Sequence, residues 1–158
     1  MQNILEKATF GAGCFWHIEE EFKKIEGVVL TSVGFMGGSI KNPSYKDVCT
    51  GKTGHAEVVH LEYDPKAVSY EKLLEVFWNI HDPTTLNRQG PDIGTQYRSA
   101  IFFHNSEQEK IAKLSKEKLE KSGKFKNKIV TEIIPSQDFY KAEDYHQKYF
   151  EKQRSCGI

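Results

Sequence analysis

Cys14 lies in Gly11-Ala12-Gly13-Cys14-Phe15-Trp16, between a short extended run and a helical pattern. A thiol at a helix N-terminus sits in the positive end of the macrodipole, which lowers its pKa and favours the nucleophilic thiolate. The same residue can also be a small buried hydrophobe, the commoner state of an intracellular cysteine. The flanking glycines favour the nucleophile, because they permit close backbone approach and an exposed turn that a core filler does not need. Phe15 and Trp16 follow directly. Two adjacent aromatics cannot both face the core from one helix, so one should lie on the surface or in a pocket that suits an apolar substrate group.

Glu57 ends the run Thr53-Gly54-His55-Ala56-Glu57, where the alternation Glu57, Val59, Leu61 places a carboxylate on an apolar face. A buried carboxyl has a raised pKa, stays protonated near neutrality and can donate a proton. Its alternative is a position at the rim of a sheet, open to water. The remaining thiols, Cys49 and Cys156, are widely spaced from Cys14. An odd number so arranged fits neither a secreted disulfide framework nor a zinc ribbon. His55, His60, His81, His104 and His146 are scattered without metal-ligand spacing, so they read as structural or surface histidines, with His146 alternatively supporting the pocket together with Tyr149, and no metal is expected.

Composition removes several partner classes. Lys+Arg and Asp+Glu are 22 each, and the sequence pI is about 7.0. A neutral chain has no general electrostatic claim on nucleic acid or an anionic membrane. No apolar run approaches the ~18 residues of a spanning helix, and residues 1–13 lack the apolar segment of a secretory signal, so the expected compartment is the cytoplasm. At 158 residues the chain is expected to be one domain, 1–158, able to bury a core without disulfides.

The elements that must hold these residues are legible from periodicity. Residues 7–11 read as a strand, and Phe15, Ile18, Phe22 and Ile25 as the apolar face of a helix ending at Gly27, with Glu19, Glu20, Lys23 and Lys24 opposite. Residues 28–35 and 57–63 read as strands, with a loop at 36–44. Ser69 is expected to cap a helix whose Leu73, Leu74, Phe77 and Ile80 face the core. A long irregular loop spans 81–96, a strand 98–103, and a capping box at Ser106-Glu107-Gln108-Glu109 opens a helix running to about 122. The eight lysines between 110 and 128, interleaved with glutamates such as Glu117, predict a solvated helix face. A strand at 128–134 and a helix near 142–150 follow, then a flexible tail at about 151–158. The order βαββαβαβα predicts an α+β fold, a mixed sheet with helices packed against it in a ferredoxin-like two-layer sandwich with long active-site loops.

Gly13-Cys14-Phe15-Trp16 with Glu19, Gly34 to Gly38, Asn42-Pro43-Ser44-Tyr45, Thr53 to Glu57, His81-Asp82-Pro83, Gly94 to Ser99 and Ala142-Glu143 with His146-Gln147 occur in order over nearly the whole chain. Together they resemble the peptide methionine sulfoxide reductases of the A type. The resemblance implies that Cys14 attacks the sulfur of methionine (S)-sulfoxide, in proteins or as the free amino acid, and becomes a sulfenic acid. Glu57 then matches the acid that protonates the departing oxygen, and Tyr45 and Tyr97 the hydroxyls that hydrogen-bond it. Phe15 and Trp16 match the pocket for the S-methyl group, and Asp92 an acidic residue that orients the substrate. Cys156 matches the resolving thiol, whose disulfide with Cys14 would be reduced by thioredoxin, with no cofactor. The chain stops two residues after Cys156, so a one-step resolution is expected. His17 stands where the family commonly has glycine, and Cys49 is expected to be a packed structural thiol. No apolar stripe is left unassigned, so a monomer is expected.

Two other classes stay open on the residues alone. One is a cysteine hydrolase or acyltransferase with His55 or His146 as base. The other is a non-catalytic module that binds an apolar group through Phe15 and Trp16.

Overall fold

The structure, a computed structural model, describes residues 4–156, with side chains through Lys152. Its centre is β1 (Glu6–Ala12), whose residues 8–12 are buried on both faces. β1 pairs antiparallel with β3 (Ala56–Tyr63) on one side and β6 (Ser99–Phe103) on the other. β2 (Val28–Met36) lies antiparallel to β3, and β8 (Tyr140–Lys141) to β2, whereas β7 (Glu132–Pro135) runs parallel to β6. The strand order is β7-β6-β1-β3-β2-β8, the mixed sheet of an α+β sandwich.

Period-two alternation sorts the side chains of this sheet. Phe10, Val59 and Leu61 face the helices, and Phe10 stacks on Phe22 of α1 (Phe15–Lys23) at 5.1 Å and on Phe77 of α3 (Tyr70–Asn79) at 5.2 Å. On the opposite face Met36, Ala56, Val58, Ala100 and Phe102 pack under Ile134 and Phe139. Ser69 caps α3 as expected, its Oγ accepting the Lys72 N–H. α4 (Ser106–Lys121) is instead capped one residue before the expected box: Asn105 Oδ1 accepts the Gln108 N–H at 2.8 Å, and the Gln108 side chain reaches back to His104 N–H. Glu117 and Lys121 pair at 2.8 Å on its solvated face.

Three local expectations change. The loop at 36–44 leads, in a stretch that had no expected element, into a short helix, α2 (Tyr45–Cys49), opened by a reciprocal Ser44–Asp47 capping box. The loop 81–96 is not irregular throughout: Arg88–Gln89 (β4) and Asp92–Ile93 (β5) form a tight hairpin, and Thr95–Tyr97 makes a 3-10 turn. The strand expected at 128–134 is confined to Glu132–Pro135, because pairing to β6 begins only at Ala100 opposite Glu132. The helix expected at 142–150 is split, with a 3-10 turn at Asp144–His146, a break at Lys148 (φ 51°), and then α5 (Tyr149–Cys156), which carries helix into the segment expected to be a tail.

That break is set by two buried polar side chains. Gln147 behaves as a strand residue would: its amide accepts the Val33 N–H at 2.8 Å and donates to the Val33 and Ala142 carbonyls. Glu19, expected on the polar face of α1, is only 1% exposed and accepts from Thr31 Oγ1 at 2.8 Å and from the Lys148 N–H at 2.6 Å. Replacing Glu19 by alanine strands two buried donors and should cost about 2–4 kcal/mol, read as a lower urea midpoint. Glu19→Gln, which keeps one acceptor, should recover part of the loss.

Candidate active site

β1 delivers its C-terminal end to a turn that only glycine fits. Gly13 has φ 98°, and a Cβ there would stand 2.7 Å from Gln89 Cγ. The turn places Cys14 at the N-cap of α1, partly buried and free. The amides of Trp16 and His17 face its sulfur and lower the thiol pKa, as the helix-terminus argument requires. They do not win. Burial, with the negative fields of Glu57 and Asp92, raises it to about 11, so the unliganded site holds a thiol and the expected lowered pKa is overturned.

Glu57 stands at the matching end of β3, opposite Phe35 of β2. It is 1% exposed; Oε1 accepts the Phe15 N–H at 3.2 Å, and Oε2 has no partner among the described residues. Burial raises its carboxyl to about 8, against the lowering by the Phe15 N–H and with a further push from Asp92. Near neutrality it is therefore an acid with its O–H free to be given to something else. The water-exposed alternative is excluded.

α1 also sorts the aromatic pair. Phe15 is buried against Phe35, Tyr45 and His146, while Trp16 is only partly buried and stacks on Tyr149 at 3.9 Å. Tyr45 opens α2, where the Glu143 carboxylate accepts its N–H at 3.1 Å. Its hydroxyl is hydrogen-bonded to the Cys49 thiol, and burial pushes its pKa up. Tyr97, on the 3-10 turn, is raised to about 12 by burial, then by Glu57 and, more weakly, by Cys49, Asp92 and Cys14, so its hydroxyl lies within electrostatic range of all four. Asp92 enters from the β4–β5 hairpin. Cys14, Glu57, Phe15, Trp16, Tyr45, Tyr97 and Asp92 thus meet in one place; the Cys156 side chain lies outside the described residues.

Cys49 is corrected: it is exposed beside Tyr45 rather than packed in the core. His17 points away from the pocket, its ring against Phe150 at 4.9 Å, and contributes only its backbone N–H. The fuller pocket includes His146, which periodicity alone would not single out. Its Nδ1 accepts the Trp16 indole N–H at 2.9 Å, so the ring proton sits on Nε2, which is buried without a partner among the described residues. His55 is committed elsewhere, accepting the Gly38 N–H and donating to the Ile40 carbonyl at 2.6 Å. Each ring has its acceptor nitrogen committed, His146 to the Trp16 indole N–H and His55 to the Gly38 N–H, which leaves neither with a lone pair for the Cys14 proton and counts against the hydrolase arrangement. No group of three His, Cys, Asp or Glu among the described residues could hold a metal ion, and no helix among them is long and apolar enough to cross a membrane.

Residues 6–158 match the family described as peptide methionine sulfoxide reductase. The peptide methionine sulfoxide reductase MsrA of Methanosarcina acetivorans is 65% identical over 149 residues, covering 94% of this chain and 79% of the relative. The crystal structure of Mxr1 from Saccharomyces cerevisiae in reduced form superposes with a TM-score of 0.89 at 40% identity, covering 95% of this chain and 86% of that one. Mxr1 in complex with Trx2 superposes at 0.65 with 27% identity, covering 94% and 89%. With Phe15, Trp16, Tyr45, Tyr97 and Asp92 set about the Cys14 thiol and the buried Glu57 acid, the chain belongs to the peptide methionine sulfoxide reductase family.

Proposed function

We propose that this oxidoreductase reduces methionine (S)-sulfoxide, in oxidised proteins and as the free amino acid, through a sulfenic acid on Cys14. The observation that carries the reading is Glu57, buried, protonated near neutrality and with Oε2 unpaired beside the Cys14 thiol. A sulfoxide has a partly positive sulfur and an oxygen that accepts hydrogen bonds strongly. Docked with its oxygen on Glu57 Oε2 and the Tyr45 and Tyr97 hydroxyls, it brings positive charge to Cys14 and stabilises the thiolate against the burial that keeps the thiol protonated.

The thiolate then attacks sulfur as Glu57 gives its proton to oxygen. Attack forms a bond between the two sulfurs as the S–O bond breaks and the protonated oxygen leaves as hydroxide; that hydroxide adds to the Cys14 sulfur, the sulfur–sulfur bond breaks with its electron pair going to the substrate sulfur, and the products are methionine and Cys14–SOH. The thiol proton restores Glu57. Phe15 and Trp16 enclose the S-methyl group, Asp92 orients the substrate main chain, and the His146 Nε2–H offers a donor to its carbonyl. His146→Ala should therefore raise KM about tenfold with a smaller change in kcat.

In this reading Cys156 condenses with the sulfenic acid, expels water, and forms a disulfide that thioredoxin reduces by exchange. Support for that partner comes from the relative solved with Trx2. Reduction by thioredoxin also places the chain in a reducing cytoplasm, where it acts as a monomeric single domain in the repair of oxidative damage.

The test is reductant-driven release of methionine from a racemic methionine sulfoxide peptide. Consumption of half the substrate is expected; absence of reduction alongside ester hydrolysis would overturn the reading. Cys156→Ser should release one methionine per protein with thioredoxin and then stall until a small thiol is added. Undiminished thioredoxin-coupled turnover in that variant would move the resolving role to Cys49 or an external thiol.

A further inference from the structure

At the end of the sheet remote from Cys14, Glu6 opens β1 opposite Tyr63 of β3. The seven residues of β1 put this end roughly 20 Å from the active-site turn. The N-termini of α3 and α4 converge there on a cleft of about 460 Å³ lined by Glu6, Glu71, Glu107, Tyr63, Tyr70 and Ile111, among others. Glu6 accepts the Tyr63 hydroxyl at 2.9 Å, and no Lys or Arg among the described residues pairs with Glu6, Glu71 or Glu107.

The sign of the field follows from magnitudes. Two helix N-termini supply roughly half a positive charge each, against three full carboxylates. Ser69 and Asn105 have already taken the Lys72 and Gln108 amides that would otherwise hold an anion. The cleft is therefore built for a cation.

A second observation points the same way. Tyr70 is 5% exposed and packs its ring on Phe10, yet its hydroxyl has no partner among the described residues, while the neighbouring Tyr63 hydroxyl is held by Glu6. A buried hydroxyl without a partner is uncommon and marks a place where one is missing. The carboxylates form no group able to hold a metal ion. They come from three separate elements, β1, α3 and α4, with Ile111 and Pro65 also lining the cleft, an arrangement that suits charges strung along an aliphatic chain.

We propose that this cleft binds an alkylammonium cation, the chemistry shared by free polyamines and by lysine side chains of a protein partner. Nitrogen-15 NMR titration of the full chain with spermidine, and separately with an acetylated dilysine peptide, tests it at low salt. Saturable shifts should be confined to amides around Glu6, Tyr70, Glu71 and Glu107, and Glu71→Gln/Glu107→Gln should weaken binding about tenfold. Tyr70→Phe should weaken it severalfold while leaving the unfolding midpoint unchanged or higher, which a merely structural tyrosine would not do. Saturation by spermidine alone assigns the cleft to free polyamines, and saturation by the peptide assigns it to lysine side chains. No saturation by either, or binding indifferent to the glutamine substitutions, overturns the proposal.

Discussion

Cys14→Ser should abolish sulfoxide-dependent turnover, with a loss of about five orders of magnitude, the scale seen when a covalent nucleophile is removed. A serine hydroxyl is far less acidic than even the raised Cys14 thiol, and oxygen cannot take the place of sulfur as the two-electron donor. The fold should be indifferent to the change. Cys14 is only partly buried, makes no capping hydrogen bond and sits in a turn set by Gly13. Substrate affinity should likewise persist, since the aromatic wall and the Glu57 acid remain. The measurement is single-turnover methionine release together with peptide binding by the same variant. Residual turnover above the uncatalysed thiol reaction would place the nucleophile elsewhere, Cys49 being the first candidate.

Glu57→Gln should lower the rate of methionine release by about 10²- to 10⁴-fold, the range for a lost general acid, with little change in binding. An amide can still hydrogen-bond the sulfoxide oxygen but has no proton to give it. The pH profile separates the two roles. In the wild type the rate should fall as pH rises through about 8, where Glu57 loses its proton, and the variant should lack that descent. Stability should respond as well. The folded-state pKa lies above the ordinary 4.5, so the protonated carboxyl is the form that the fold tolerates. No penalty exists below 4.5; it grows between 4.5 and about 8 as the unfolded chain ionises first, and levels off above, on the order of 5 kcal/mol. Unfolding midpoints measured from pH 5 to 9 should decline in the wild type and stay flatter in Glu57→Gln. A parallel decline in both would remove Glu57 as the buried titrating group.

The two central residues were legible in the chain because each carries a local signature. Cys14 follows a glycine that must adopt positive φ, and Glu57 falls on the apolar phase of a strand alternation. The direction of the Cys14 pKa was not legible. A helix N-terminus is written in neighbouring residues, but burial depends on walls brought from other elements, with Glu57 and Asp92 adding charge from two separate segments. Cys49 was misread for the same reason. A cysteine ending a five-residue helix gives no periodicity long enough to say which side faces out. The C-terminal break at Lys148 was hidden because it is imposed from a distance, by Glu19 on α1 and Val33 on β2, rather than by glycine or proline nearby. The Asn105 cap shows the limit of motif reading: Ser106-Glu107-Gln108-Glu109 has the spacing of a box, yet the asparagine before it takes the role.

Gln147 has a consequence for the company this protein keeps. A sheet with open margins would template the addition of any extended peptide able to pair as an extra strand. Here the margin formed by β2 is plugged. Two residues of β8 cover Gly34 and Phe35, the Gln147 amide occupies both backbone groups of Val33, and a register shift between Val28 and Leu30 spoils the pairing geometry of what is left. The opposite margin, β7, is four residues long and ends in proline. By these devices both margins of the sheet resist the addition of a further strand.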